Sequence, residues 1–309
     1  MNSSGVSISF TIYRSLAPYN ALALAACVLV LYVSCLSLNL LLVLVVWLTP
    51  RLHRPMYLLL ANLGACGTVG CSAVCPGVLR LLLLPGHRSS LAACLAQVFF
   101  TNLYGSGVFC TLALMALDRY VSICRPLHYH AIMTLGRVKL LLLLLYLLLG
   151  STSGVQVLLA WRLPLCRFAV DKLFCDSLSV ARLSCRRSLL VGAFGLSAAA
   201  CLVLLPCVLV LLSYVRIMLV VARTSPESRR KALRTCLPHL LTFFNFSVAS
   251  FFGLIYSRVS QRVPLSANVL VSVNFLVLPP LLHPLIYGVR TREIRRSLGR
   301  TLRLGVAPP

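Results

Sequence analysis

The sequence predicts an all-α membrane protein, a seven-transmembrane helix bundle followed by a short amphipathic C-terminal helix. Composition is the first observation behind this prediction, because 60% of the 309 residues are hydrophobic and only 11% are charged. A soluble domain carries about 25% charged residues, so this chain has too few to cover a surface in water. The mean hydropathy of +0.95 is that of a chain lying mostly in a bilayer.

Long apolar segments are the second observation. A helix needs about 20 mostly apolar residues to cross a membrane. Seven stretches meet this requirement, at 21–48, 56–84, 91–121, 137–160, 189–222, 235–257 and 265–288. The second, third, sixth and seventh also contain Gly, Ser, Asn and Pro, which is typical of helices packed inside a bundle.

The basic residues are the third observation. The chain has 29 Lys and Arg against five Asp and Glu, a net charge of +24. They lie between the apolar stretches rather than on one face, so we expect no nucleic-acid partner. The C-terminal side of the membrane holds more of them, and the side richer in Lys and Arg is normally cytoplasmic. We therefore expect a multi-pass plasma-membrane protein with an extracellular tail (1–20), the bundle (21–288) and a cytoplasmic amphipathic helix and tail (289–309).

The two ends of the chain carry weaker signals. Asn2-Ser3-Ser4 is an N-glycosylation sequon in the expected extracellular tail. Near the other end, Ile294, Leu298 and Leu302 recur every four residues among several arginines. This spacing predicts an amphipathic helix on the inner leaflet, with membrane lipid as a partner.

Asp118 and Arg119 are the strongest local signal, in the segment Met115-Ala-Leu-Asp-Arg-Tyr-Val-Ser-Ile-Cys-Arg-Pro-Leu127. Asp118 is the one acidic residue in or at the edge of an expected span. An ionisable residue there is costly unless it is paired, which makes it a functional candidate. The pair is either a switch, in which Arg119 exchanges partners, or a charge pair that marks the end of a helix.

Five segments in chain order resemble the olfactory (odorant) receptors, a family of rhodopsin-like G-protein-coupled receptors. They are residues 55–63, 115–127, 213–214, 231–240 and 279–288. The resemblance implies an odorant-type receptor that binds a small ligand and activates a heterotrimeric G protein, a stimulatory one that raises cyclic AMP. A rhodopsin-like receptor for a non-odorant ligand is the main alternative, and a small membrane transporter is a weaker one.

The resemblance also implies an activation switch at the cytoplasmic side. We assign to it Asp118, Arg119, Tyr120, Leu127, Tyr214, Arg234, Cys236, His239, His283, Pro284 and Tyr287. Pro284 would allow helix seven to bend, although a static kink fits the same residue. Cys236 and His239 are poor evidence for a metal, and we expect them to pack or to form hydrogen bonds.

Two positions depart from the family pattern. Gly67 stands where the family usually has Asp, and His283 where it usually has Asn. Those residues normally contribute to a polar cluster that can hold sodium, and Gly67 supplies no oxygen ligand, so we expect no sodium site. For His283 we expect a neutral, hydrogen-bonded ring, with pH sensitivity as the alternative.

Cysteines lie both in the apolar stretches and in the long loop before the fifth span. Those in the apolar stretches, Cys35 and Cys71 among them, we expect to pack as small hydrophobic residues. The four outer cysteines allow three pairings that spacing does not resolve. The resemblance implies Cys94–Cys175 and, with free thiols as the alternative, Cys166–Cys185.

The family architecture also implies a ligand pocket in the outer halves of helices three, five, six and seven. Its expected lining is Thr101, Asn102, Gly105, Ser106, Ala198, Leu202, Ser250, Phe251, Leu254 and Val273. Each of these residues alone also fits ordinary helix packing. Six basic residues of the outer loop either steer acidic ligands or form a solvated surface.

Other classes of membrane protein lack support in the sequence. A transporter needs charges along its pathway, a retinal-binding protein needs a lysine in the last span, and an enzyme needs a nucleophile–base pair or a metal set. We find none of these patterns. We therefore expect neither enzymatic activity nor a cofactor.

Overall fold

The fold is almost entirely helical. The structure, a computed structural model, describes residues 7–10, 18–84, 88–170, 172–186, 188–259, 274–275, 277–290, 293–295 and 299. Within these ranges six helices are long and apolar enough to cross a membrane. Of the seventh expected span, the structure describes mainly the second half. Together these helices support the predicted transmembrane bundle.

The long helices follow the apolar segments closely. They are α1 (Pro18–Leu48), α2 (Pro55–Leu83), α3 (Leu91–Cys124), α5 (Leu135–Trp161), α7 (Leu189–Ala199) continued by α8 (Leu205–Val221), α9 (Pro226–Val259) and α10 (Leu278–Arg290). The sixth span was expected to begin near residue 235, but α9 begins at Pro226 because its basic first turns are also helical. Residues 293–295, in the expected C-terminal helix, are helical as well.

Short elements lie at both ends of the bundle. Beyond the long helices these are α4 (Tyr129–Ile132), α6 (Ser177–Leu183), two 3₁₀ turns at Pro50–Leu52 and Pro126–His128, and the strands β1 (Ser7–Phe10), β2 (Ser89–Ser90) and β3 (Ala169–Val170). Helix α3 joins the two ends. We call them the disulfide end, which contains Cys94, and the ion-pair end, which contains Asp118.

Helix α3 is the centre of the bundle and contacts α2, α5, α8 and α9, while α1 packs on α2 and α10. The inward faces form one large apolar core, in which Leu112 and Met115 of α3 are fully buried. Leu143 and Leu147 of α5 are more than half exposed instead. An apolar surface of this kind is what a lipid-facing helix presents.

The fifth span contains a π-helical segment, Ala200–Leu204, between α7 and α8. Pro206 follows it and has no N–H, so it cannot donate to the carbonyl of Leu202 four residues earlier. The thiol of Cys110 in α3 lies 3.7 Å from this carbonyl oxygen and donates a weak hydrogen bond to it. The widened turn therefore coincides with a contact between helices three and five.

A small sheet covers part of the disulfide end. Strand β1 lies between β2, with which it is antiparallel, and β3, with which it is parallel. Ile8 and Phe10 point inward and join a second apolar cluster with Cys94, Cys175 and Val170. The expected N-terminal tail therefore contains a strand that ties the first described residues to both neighbouring loops.

One expectation for the cysteines is wrong. Cys35 of α1 and Cys71 of α2 were expected to pack as separate small hydrophobic residues, but they form a disulfide between the two helices. Both side chains are fully buried. Spacing could not reveal the pair, because it depends on how the two helices face each other.

Candidate functional site

The ion-pair end is organised around one buried carboxylate. Asp118 is fully buried, and its Oδ2 atom accepts hydrogen bonds from Nη2 of Arg119 at 2.6 Å and Nε at 3.1 Å. Its other oxygen, Oδ1, accepts a hydrogen bond from the hydroxyl of Tyr129 at 2.8 Å. Both carboxylate oxygens therefore have charged or polar donors, which is what a buried charge requires.

Tyr129 belongs to α4 and was not among the residues expected at this site. Burial raises the pKa of its hydroxyl above the ordinary value, and the charge of Asp118 and the hydrogen bond to it act in the same direction. The hydroxyl therefore stays protonated and remains a donor at physiological pH. The sequence predicted Arg119 as the partner of Asp118, but it gave no sign of this second donor.

The remaining expected residues of this end differ in exposure. Tyr120 is half-buried against the core, and Arg234 is exposed. Leu127, in the turn after α3, is 94% exposed, although it is a large apolar residue. An apolar side chain held out in this way is available for contact with a partner.

Helices three, five and six meet at a hydrogen-bonded histidine. Nε2 of His239 lies 2.9 Å from the carbonyl oxygen of Leu112, and Nδ1 lies 2.8 Å from the hydroxyl of Tyr214. A carbonyl only accepts, so Nε2 carries the proton and Nδ1 accepts from Tyr214. The two rings also stack with centroids 5.4 Å apart. The structure thus brings together two residues that were assigned separately, while the adjacent Cys236 is buried.

The buried histidine of helix seven lacks such partners among the described residues. His283, Pro284 and Tyr287 are all buried in α10. Neither ring nitrogen of His283 has a hydrogen-bond partner among the described residues. The His283 ring meets Phe246 of α9, with centroids 6.2 Å apart, and the hydrogen bond expected for it stays a prediction.

The space beside Gly67 does not suit the family's sodium site. A Cβ atom at this position would lie 3.0 Å from Oδ1 of Asn39 and 3.1 Å from Cβ of Pro280. The amide nitrogen of Asn39 donates to the carbonyl oxygens of Cys35 and Pro280, which fixes it there. Gly67 contributes no carboxylate, and its neighbours fill the volume that a longer side chain would need.

At the disulfide end, Asn102 is part of a polar cluster. Its amide nitrogen donates to Oε1 of Gln156 and to the hydroxyl of Ser177, both at 3.1 Å. The hydroxyl of Ser177 also lies 3.2 Å from Oδ1 of Asn102. Gln156 and Ser177 were not expected at this site, because their contact depends on how α5 and the loop helix α6 sit against α3.

The other expected pocket residues are mostly satisfied within their own helices. The hydroxyls of Thr101, Ser106 and Ser250 donate to backbone carbonyls three or four residues earlier. Gly105 faces Phe275, whose ring lies 4.0 Å from a Cβ built on the glycine. Each of the three hydroxyls therefore already uses its proton within its own helix.

The remaining pocket residues are spread around the same level. Ala198 and Leu202 are half-buried in the fifth span, whereas Leu254 has 52% of its surface exposed. Phe251 lies beside Phe109, with ring centroids 6.3 Å apart. Val273 lies outside the described residues.

Aromatic rings form a layer in the middle of the bundle, which was also not expected. Phe246 of α9 is fully buried, with ring centroids 4.8 Å from Phe109, 5.7 Å from Tyr104 and 6.2 Å from Phe275. These contacts join helices three, six and seven. A change in the position of one ring therefore presses on all three helices.

Two disulfides hold the loop before the fifth span. Cys94 is bonded to Cys175, which ties the loop to α3, and Cys166 is bonded to Cys185 within the loop. These are the two pairs that the family resemblance implied. The backbone N–H of Cys175 also donates to Oε1 of Gln97 at 3.0 Å.

Asp176 organises the same loop. It caps α6 by accepting from the N–H of Ser179 at 2.7 Å, and it forms an ion pair with Lys172. Burial acts to raise the pKa of this carboxyl, but the Lys172 ammonium and the Ser179 hydrogen bonds outweigh it and hold the pKa below the usual value. Asn2, the expected glycosylation site, lies outside the described residues.

Comparison with known proteins agrees with this geometry. The sequence profile of the family described as "Olfactory receptor" matches residues 27–304. Olfactory receptor 4E2 of Mus musculus is 37% identical over 275 residues, which cover 87% of this chain and 86% of that receptor. Olfactory receptor 10J4 of Homo sapiens is 33% identical over 287 residues, which cover 92% and 91% of the two chains.

The profile covers most of the chain, and the relatives match over most of their own length. The structure adds a bundle of apolar helices with a buried ion pair at one end and disulfides at the other. The chain therefore belongs to the olfactory receptor family of rhodopsin-like G-protein-coupled receptors.

Proposed function

We propose that this receptor binds a small, uncharged ligand near its disulfide end, and that binding opens its ion-pair end to a stimulatory G protein that raises cyclic AMP. Its family consists of chemosensory receptors, not enzymes. The disulfide end and the N-terminus would face outward from the plasma membrane. The observation that carries the proposal is the buried carboxylate of Asp118, which holds Arg119 and Tyr129 together.

The described pocket residues favour a neutral ligand. They offer apolar surface and the Asn102–Ser177 pair, but no charged side chain. A ligand with one hydroxyl or carbonyl group would exchange hydrogen bonds with this pair and bury its apolar part against the rings around Phe109. In the loop above, Lys172 is already paired with Asp176, which reduces the charge available to steer acids.

Signalling requires that the ligand bind more tightly to the active state than to the resting one. The aromatic layer around Phe246 lies between the ligand end and the Tyr214–His239 contact. A ligand that displaces Phe251 or Phe109 would therefore shift α9 relative to α3. Movement of α9 would break the hydrogen bond between His239 and Leu112 and separate the inner ends of the two helices.

The surface exposed by this movement would be the G-protein site. Leu127 is already held out into solvent, and Arg119 would leave Asp118 to meet the partner. Exposed Arg234 lies on the same end of α9. This arrangement would give the partner an apolar contact beside two positive charges.

The test is a screen of neutral and acidic odorants against cells expressing the receptor, with cyclic AMP as the readout. We expect responses to neutral compounds and none from the Arg119→Ala variant at equal surface expression. Equal signalling by that variant would contradict the role given to Arg119. A tag before Ser7 should be accessible on intact cells, and accessibility only after permeabilisation would reverse the proposed orientation.

A further inference from the structure

A groove lies along one side of the first turns of α9, where the sixth span leaves the bundle. It has a volume of about 640 Å³. Its lining combines Arg229, Arg230 and Arg234 with Leu233, Leu237 and Leu240. The groove shares Arg234 with the proposed G-protein site and Cys236 with the switch, but no function assigned above uses Arg229, Arg230, Leu233 or Leu237.

The groove runs from the exposed face of α9 to the edge of the core. Cys236, at its inner edge, is buried, and so is His239. Leu233 and Leu237 are 39% and 38% exposed, and Arg230 lies on the same stripe, because residues three and four apart share one face of a helix. A ligand held by Arg230, Leu233 and Leu237 would therefore lie on the exposed face of α9, next to the proposed G-protein site.

The N-terminal part of the groove is strongly positive, and its arginines have no acidic partner among the described residues. Segment 222–240 contains five basic residues and one acidic residue, Glu227. The ion pairs of the described residues are Arg119–Asp118 and Lys172–Asp176, so none of the three groove arginines has a carboxylate partner there. Arg229 and Arg230 also lie near the helix N-terminus, whose dipole adds to the attraction for anions.

The C-terminal part of the groove is apolar. Leu240 lies ten residues beyond Arg230, which corresponds to about 15 Å along the helix axis. A polyanionic group at the arginines would thus be followed by aliphatic surface, in the direction that leads into the membrane. This order of charge and apolar surface matches a phospholipid headgroup and its first acyl carbons, and a peptide partner would not require it.

We propose that this groove binds a polyanionic phospholipid of the inner leaflet, with its phosphate groups at Arg229 and Arg230 and its acyl chains along Leu233 and Leu237. Two positive charges and a bidentate guanidinium geometry favour phosphate-rich headgroups over a single phosphate. The bound lipid would lie against the helix that moves on activation. The proposal rests on the proposed orientation only in assigning the lipid to the inner leaflet.

The probe is dioctanoyl phosphatidylinositol 4,5-bisphosphate, titrated by thermophoresis into the purified full chain in neutral detergent. We expect the Arg229→Gln/Arg230→Gln double variant to bind about thirtyfold more weakly, since each basic residue near an anionic lipid surface contributes about 1 kcal/mol. The matched control is Arg162→Gln/Arg167→Gln, which removes two exposed arginines at the disulfide end and should change the affinity by less than about twofold.

Two further titrations separate the possible sources of binding. Inositol 1,4,5-trisphosphate has the headgroup without acyl chains and should bind at least about tenfold more weakly, because the leucines lose their contact. Dioctanoyl phosphatidylserine, with a smaller charge, should also bind more weakly. Equal affinity for all three compounds would overturn the proposal.

The proposal also fails if both double variants weaken binding equally, or if the groove variant keeps its lipid affinity but loses G-protein activation. The second result would make the groove a protein contact. Detergent exposes both ends of the receptor, so these outcomes do not depend on orientation. An Arg229→Lys/Arg230→Lys variant keeps the charge but loses the bidentate geometry, so its affinity should lie between those of the unmodified receptor and the glutamine variant.

Discussion

Removing the Tyr129 hydroxyl should activate the receptor in the absence of ligand. In the structure this hydroxyl donates to Oδ1 of Asp118 at 2.8 Å, and the carboxylate is fully buried. Because water has no access to Asp118, a Tyr129→Phe substitution leaves Oδ1 without a donor. If activation releases the ion pair, the substitution destabilises the resting state and leaves the active state unchanged.

The expected magnitude follows from the charge on the acceptor. A hydrogen bond to a charged group contributes about 1.5–3 kcal/mol, and each 1.4 kcal/mol changes an equilibrium constant tenfold. The ratio of active to resting receptor should therefore rise about ten- to hundredfold. If the resting receptor is active about 0.1–1% of the time, this increase moves the basal signal well above background.

The assay is basal cyclic AMP in cells without odorant, normalised to receptor at the surface. Tyr129→Phe should raise it at least about fivefold. The matched control is Tyr32→Phe, which removes a hydroxyl whose only described hydrogen bond, to Ser72, is long at 3.4 Å and far from Asp118. Tyr32→Phe should leave the basal signal unchanged.

The reasoning would be refuted if Tyr129→Phe gave an unchanged basal signal at normal surface expression. It would also fail if the effect persisted in an Asp118→Asn background, because an effect through Asp118 must disappear when the charge is gone. A receptor that fails to reach the surface is detected by the normalisation. In that case Tyr129→His is measured instead; its ring N–H is a donor, so it should keep the basal signal at the resting level.

Three further predictions concern other parts of the bundle. Tyr214→Phe removes a hydrogen bond worth about 1 kcal/mol, so it should lower the Tm of the purified receptor. The Tyr214→Phe/His239→Phe double variant should lose less Tm than the two single variants lose together. Full additivity would count against the contact. Gly67→Asp should lower the Tm through overpacking of about 1–3 kcal/mol, and sodium chloride should not restore it relative to choline chloride. The pKa of Asp176 is lowered, so its ion pair with Lys172 stabilises the loop above about pH 4, and this stability is lost as the pH falls through the folded-state pKa. The Asp176→Asn variant should have a lower Tm at pH 7, and its Tm should fall less as the pH is lowered. Parallel curves of Tm against pH for the two proteins would contradict this.

The spans could be predicted from the sequence because each depends on local composition alone. The segment Leu140–Leu149 is apolar whatever it packs against, and it lies within α5. Strand β1 was not predicted, since four residues with two apolar side chains are too short a pattern, and the strand forms by pairing with two distant loops. The early start of α9 was missed because its first turns are charged and give no apolar signal.

Pairwise contacts at the site were less accessible to prediction. The adjacent Asp118–Arg119 pair was visible because both residues are neighbours in the chain. The Tyr129 donor, the Gln156 partner of Asn102 and the Cys35–Cys71 disulfide each join two helices. Such contacts depend on the rotation and depth of one helix against another, which hydropathy does not encode.

The small sheet at the disulfide end sets a rule for how the receptor can be labelled. Ile8 is fully buried and Phe10 is nearly so, and the N–H of Ser9 donates to the carbonyl of Phe168 at 2.8 Å. An epitope or fluorophore fused ahead of Ser7 leaves these contacts whole. The same insertion between Phe10 and Pro18 would keep the strand but lengthen its connection to α1. A deletion of the first ten residues would expose apolar surface, and the receptor would then be retained inside the cell before it reaches its membrane.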